Sequence, residues 1–340
     1  MNAIMTGRFP AVRPRRLRAA AWRRSLVRET LLTPADLILP IFVIDGHDIA
    51  VPVPAMPGVQ RLSIDRAVIQ ARIAAAAGIP ALAIFPVVDP HLKDAGGREA
   101  LSPDNLVCRT VRAIKAAVPN IGLITDVALD PYTTHGHDGL IVDGDVANDL
   151  TVALLARQAV LLADAGSDIV APSDMMDGRV GAIRTALEQA GHVNTLILSY
   201  AVKFASAFYG PFRGAVGSLG RLGEHGGPAH KRTYQMDFAN ADESLREAAL
   251  DVAEGADMLM VKPAGTSLDI IAKLRAAFAV PVFGYQVSGE YAALAAAADL
   301  GVVDRDEAIL ESLTVIKRAG ATAIFTYAAL DTARLLSGDS

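Results

Sequence analysis

The sequence predicts an α/β fold, a single (β/α)8 TIM barrel preceded by an extended basic arm. Three observations carry that expectation. Eight short apolar runs recur from about residue 37 onward, stretches of helical periodicity separate them, and no Gly-rich phosphate loop follows the first run. Continuously apolar runs of this length suit a parallel sheet covered on both faces. Eight strand–helix units in about 300 residues fit a closed barrel in one domain. A doubly wound open sheet is the other fold with this alternation, but it usually places a Gly-rich loop after its first strand.

The elements follow in order. Residues 1–34 read as the arm, with Arg8, Arg13, Arg15, Arg16, Arg18, Arg23, Arg24 and Arg28 and no acid before Glu29. Pro10 and Pro14 interrupt any continuous helix there, and the segment lacks the apolar stretch of a secretory signal. An arm that packs on another subunit is the expectation, and a nucleic-acid arm the sharper alternative. Residues 35–340 read as the barrel. Its strands are expected at 38–43, 81–86, 121–127, 167–172, 195–200, 257–262, 280–287 and 321–327, with helical periodicity between them in stretches such as 63–77, 104–117, 148–165, 241–254, 289–299 and 305–318. Residues 210–235 hold seven Gly and two Pro and read as a long loop, an active-site lid.

Composition narrows the function. The chain of 340 residues is 52% hydrophobic and carries a net charge of −5, so it can bury a large core and is not an overall match for nucleic acid. Cys108 is the single cysteine, which excludes a disulfide framework and a CxxC zinc site and suits a reducing, cytoplasmic setting. No apolar run approaches the roughly 18–20 residues of a membrane helix.

Barrel chemistry gathers where strands end at the C-terminal face. Asp126, Ser173, Asp174, Tyr200, Lys203, Lys262, Ser288 and Tyr327 all fall there. Two lysines are the informative pair. A lysine at an apolar strand end loses solvation, and a second ammonium repels it. Both effects lower its pKa, and a neutral amine can form a Schiff base with a ketone or aldehyde. Arg213, Arg221 and Lys231 in the lid suit a carboxylate or phosphate. Ser288 and Tyr327 offer donors to a second anion, and Asp126, Asp138 and Ser173 could hold an ammonium. The segment DVALDPYTTHGHDG (126–139) could by itself be a metal site, an acid/base site or a polar loop. Another Schiff-base barrel, such as a class I aldolase, is a second reading of the same lysines.

That segment, with APSDMMDGRVGAIR (171–184), SYAVKFASAFYGPFR (199–213), TYQMD (233–237), EGADMLMVKP (254–263) and YQVSGEY (285–291), resembles the δ-aminolevulinic acid dehydratase (porphobilinogen synthase) family over roughly residues 10–335. The resemblance implies a lyase of tetrapyrrole synthesis, which condenses two 5-aminolevulinate molecules per site to porphobilinogen. It implies Schiff bases at Lys203 and Lys262, a substrate carboxylate on Ser288 and Tyr327, and a second on Arg213 and Lys231. Asp126 and Ser173 would position an amine, with Asp138 near the second substrate. A homo-octamer is implied, a hexamer or dimer being the smaller alternatives. Zinc-dependent members carry cysteines at the positions of Ala128, Asp130 and Asp138, so no catalytic zinc is expected here. No organic cofactor is implied; magnesium at an allosteric Glu247 and a monovalent cation are. Ala264 and Ser267 depart from the family pattern after MVKP, which puts the local loop geometry in question.

Overall fold

The computed structural model describes residues 7–217, 222–223 and 227–338. Two compact units divide at Leu31/Leu32. In the first, a 3-10 turn Pro14–Leu17 precedes a short helix Ala21–Leu26. Its arginines close on their own backbone, Arg16 donating to Ala11 O at 2.8 Å and Arg23 to Arg16 O at 2.9 Å.

The second unit is the barrel. Eight strands run in chain order: β1 Leu37–Val43, β2 Ala81–Pro86, β3 Gly122–Val127, β4 Ile169–Pro172, β5 Leu196–Lys203, β6 Met258–Lys262, β7 Val282–Tyr285 and β8 Ala323–Phe325. Each pairs in parallel with its neighbour, and β8 returns to β1 through Ile324↔Leu37 and Phe325↔Ile38. Closure removes both sheet edges. Burial on both faces explains why β1 and β2 are apolar throughout and β6 is apolar up to its last residue, Lys262; every residue of the three strands is buried.

The covering helices are α1 Ile64–Ala76, α2 Leu106–Ala117, α3 Asn148–Asp164, α4 Arg179–Gln189, α5 Gly210–Ala215, α6 Ala241–Ala253, α7 Leu268–Ala277, α8 Ser288–Asp299, α9 Arg305–Ala319 and α10 Ala329–Ser337. α2 shows why such segments fold so. The Asn105 side chain caps Cys108 N–H at 2.9 Å, and Leu106, Val107, Val111 and Ile114 make its buried stripe.

Two differences from the sequence expectation have physical causes. The lid is not loop from its start: α5 occupies 210–215, with Pro211 in its first turn, where proline's missing N–H costs nothing. Arg61 donates to Ala215 O at 2.7 Å and Gly214 O at 2.8 Å, satisfying carbonyls that the helix end leaves open. α4 was hidden because Arg179 sits on its buried face beside Val180, Ile183 and Leu187. A charged residue there breaks the apolar pattern. Among the described residues no helix is long and apolar enough to cross a membrane.

Candidate active site

β5 and β6 bring Lys203 and Lys262 into direct register, side by side at the C-terminal mouth. Both are buried, yet their surroundings differ. Lys203 Nζ donates to Asp138 Oδ1 at 3.2 Å and to the Ser173 carbonyl. Lys262 Nζ instead stands among aromatic faces, 4.5 Å from the Tyr285 ring centre and 5.1 to 5.4 Å from those of Tyr200, Phe212 and Tyr209. Burial, and next the Lys203 ammonium, push the Lys262 amine down to about 7. Ring quadrupoles attract a cation but do not replace its water, so near neutrality much of this amine is free of its proton.

Carboxylates behind the lysines divide in the same way. Burial alone would raise Asp138, but Lys203 and Lys231 outweigh it and hold it well below the usual carboxylate range. Lys231 Nζ lies 2.6 Å from Asp138 Oδ2 and 3.6 Å from Asp130. Burial opposes the Lys231 charge too, and those two carboxylates more than offset it, so its pKa lies above the ordinary value. Asp126 is the contrasting case. Burial, then the Asp130 charge, lift it to about 7 despite Lys203, and its Oδ1 has no hydrogen-bond partner among the described residues. The sequence reading gives Asp126 the part of positioning an amine. In the fold it is a carboxyl poised near neutrality, because no ammonium reaches it as directly as two reach Asp138.

Lys203, Lys262, Arg213, Lys231, Ser288 and Tyr327 line one cavity. Asp126, Asp138 and Ser173 do not line it. They form the layer behind, acting on it through Lys203 and Lys231. Ser288 opens α8, where its Oγ accepts the Phe212 N–H at 2.9 Å and donates to Phe208 O at 3.3 Å. Tyr327 Oη is 3.0 Å from Tyr285 Oη. A Cβ on Gly289 would stand 2.4 Å from Phe208 O, so only glycine lets the lid base approach α8 this closely. The cavity has about 30 Å³ free, room for a water rather than an organic acid. Arg221 lies outside the described residues.

Sequence reasoning missed Asp130, Tyr209, Phe212, Gln235 and Tyr285, all of which line the cavity. Gln235 Oε1 is buried and has no hydrogen-bond partner among the described residues, an acceptor waiting for a donor. The aromatic residues carried no signal, since a buried ring in a strand or helix looks the same whether or not it faces an amine. In DVALDPYTTHGHDG, Ala128 offers no ligand. Among the described residues no three His, Cys, Asp or Glu side chains gather in a metal-holding group. Glu247 stands on α6 beside a separate cavity of about 440 Å³ that Glu243, Asp177 and Asp237 also line. Burial, and then Asp251, raise its pKa.

A closed parallel barrel with two buried lysines in register at its C-terminal mouth defines a class, the lysine-dependent barrel enzymes of carbonyl chemistry. Comparison with known proteins narrows it. The sequence profile of delta-aminolevulinic acid dehydratase matches residues 11–335. The chain is 56% identical to the delta-aminolevulinic acid dehydratase of Bradyrhizobium diazoefficiens over 317 residues, covering 93% of this chain and 88% of that protein. It is 50% identical to the Streptomyces coelicolor enzyme of the same name over 332 residues, covering 97% and 98%. The crystal structure of delta-aminolevulinic acid dehydratase (porphobilinogen synthase) from Toxoplasma gondii, in complex with its reaction product porphobilinogen, superposes with a TM-score of 0.93 at 47% identity, covering 97% of this chain and 92% of that one. The chain belongs to the delta-aminolevulinic acid dehydratase family.

Proposed function

We propose that this chain condenses two molecules of 5-aminolevulinate to porphobilinogen, with loss of two waters, through Schiff bases on Lys262 and Lys203. The register pairing of the two lysines carries the reading. Lys262 reacts first. Its amine, lowered to about 7, attacks the ketone carbon of one substrate; the carbonyl oxygen leaves as water and an imine forms. That substrate's carboxylate sits on Ser288 and Tyr327, near the N-terminus of α8, where helix dipole and free N–H groups favour an anion.

The second substrate forms its imine with Lys203 and lays its carboxylate on Arg213 and Lys231. Lys231 must turn part of its charge away from Asp138 to do so. Asp126 and Ser173 position an amine, and an Asp126 carboxyl near 7 can both accept and return a proton during the closing steps. Asp138 stays ionised opposite Lys203 and balances the second iminium. Net, the two substrates gain one carbon–carbon and one carbon–nitrogen bond.

The family resemblance implies a hard cation that keeps most of its waters at Glu247, whose pKa burial and then Asp251 raise. Magnesium there would act away from the lysines, as a regulator, beside a monovalent cation and with no organic cofactor. The arm, 1–34, packs on a neighbouring subunit in a homo-octamer, and the enzyme works in the cytoplasm. Incubation with 5-aminolevulinate, borohydride reduction and peptide mapping test the chemistry. Adducts at Lys262 and Lys203 with a pyrrole product are expected. Modification of neither lysine, or cleavage of an aldol instead, would sink it.

A further inference from the structure

His135 and His137 are the residues of DVALDPYTTHGHDG that the proposed reaction leaves without a role. Both are buried. The His137 backbone N–H donates to His135 Nδ1 at 3.1 Å, so that nitrogen carries no hydrogen, and His135 Nε2 donates to Ala95 O at 3.2 Å. Thr133 Oγ1 adds a bond to His137 O at 3.1 Å. These contacts fix the turn and aim the His137 ring at the lid. Its Nε2 is 2.9 Å from Pro228 O and its Nδ1 3.0 Å from Tyr234 Oη. Gly227 permits the approach, since a Cβ there would stand 2.3 Å from Ile141 Cδ1 and 3.4 Å from the His137 ring.

A proton count on this chain is decisive. Pro228 O only accepts, so Nε2 carries a hydrogen. Tyr234 Oη accepts the Asp138 N–H at 3.4 Å, and its one proton has two takers, His137 Nδ1 and, at 2.9 Å, Asp138 Oδ2, which also accepts from Lys231. Three contacts therefore share two protons while His137 is neutral. An imidazolium supplies the third: Nε2–H to Pro228, Nδ1–H to Tyr234, and Tyr234 O–H to Asp138.

We infer that His137 is a positioning residue, a latch on lid residues 228–234 that is one proton short in the free enzyme and is completed by a proton taken up when substrate binds. Burial holds the free imidazole below its ordinary pKa; the Pro228 carbonyl opposes this, Lys231 adds to it, and Asp138 and Asp130 oppose it further. His135, packed 5.8 Å away, and the Tyr234 hydroxyl are the remaining titratable groups at the ring. A substrate carboxylate arriving at Lys231 brings negative charge beside His137, and Asp138, sharing Lys231, draws harder on the Tyr234 proton. Both changes favour the imidazolium. The linkage rests on the assignment of a substrate carboxylate to Lys231 in the proposed function.

The test is nitrogen-15 NMR of the imidazoles in the full chain, free and after trapping with 5-aminolevulinate and borohydride, with His137→Gln assigning the signal. The His137 midpoint is expected to rise by about one pH unit on trapping. His137→Gln keeps a donor for Pro228 O and takes up no proton. Its KM is expected to rise about fivefold below neutrality, more than kcat falls, and to keep there only the pH dependence that Lys262 imposes. A midpoint that stays or falls while mass spectrometry shows both lysines modified overturns the latch and leaves the proposed reaction standing, as does a His137→Gln enzyme with the wild-type KM profile. Absence of any lysine adduct overturns the reaction itself, and the linkage with it.

Discussion

Replacing Lys203 by methionine tests why Lys262 is a free amine near neutrality. The two are register partners on adjacent strands, about 5 Å apart along the sheet. Two ammonium groups that kept this strand spacing would repel by about 3 kcal/mol at an effective dielectric constant near 20, equivalent to about 2 pH units. Asp138, 3.2 Å from Lys203 Nζ, cancels part of the repulsion, so removing Lys203 relieves about one unit rather than two. Burial is the larger cause of the shift and is untouched. The Lys262 midpoint in Lys203→Met should therefore move from about 7 to about 8, far short of the ordinary 10.5. The assay is the initial rate of borohydride-trapped adduct at Lys262 against pH, read by intact mass. Turnover is lost in this variant, but the first Schiff base is not. A midpoint that stays put or falls would refute the two-ammonium account.

Other consequences are as direct. In Lys262 the folded pKa of about 7 lies below the unfolded 10.5, so burying this amine costs stability below 10.5, and the cost is complete below about 7. Lys262→Met should abolish turnover yet raise Tm, more in acid than in alkali; an equal Tm gain at both ends contradicts the assignment. Asp138→Asn leaves Lys203 buried without its counter-charge and Lys231 with Asp130 alone, a loss of about 3–5 kcal/mol in urea unfolding at neutral pH. Because the Asp138 pKa is depressed in the fold, its contribution is present above the ordinary carboxylate value and fades as pH falls through the folded one. The gap between wild type and variant should narrow in strong acid. Gly289→Ala drives a methyl into the Phe208 carbonyl, at about 1–3 kcal/mol, and should raise KM by loosening the lid base. Glu247→Gln should abolish stimulation by magnesium in a chelated, add-back activity assay while both lysines still trap substrate.

The alternation of apolar runs and helical stretches determined the barrel, its eight strands and the placement of Lys203, Lys262, Ser288 and Tyr327 at one face. These follow from local periodicity, and closure brings strand ends together wherever the strands fall in the chain. α4 escaped because a buried arginine interrupts its stripe, and that arginine is acceptable only where Asp174 and Asp251 meet it from other elements, at 3.6 and 3.4 Å. Which aspartate is charged was equally invisible. Asp126 and Asp138 look alike in one sequence segment, but Lys203 and Lys231, 65 and 93 residues beyond Asp138, reach it directly. The two lysines divide for the same reason, one meeting carboxylate and carbonyl, the other aromatic rings from four elements. Residue type and spacing set what chemistry this chain can carry. The electrostatic state of each group is a sum over neighbours distant in sequence, falling steeply with distance in space, so only the tertiary structure could decide it.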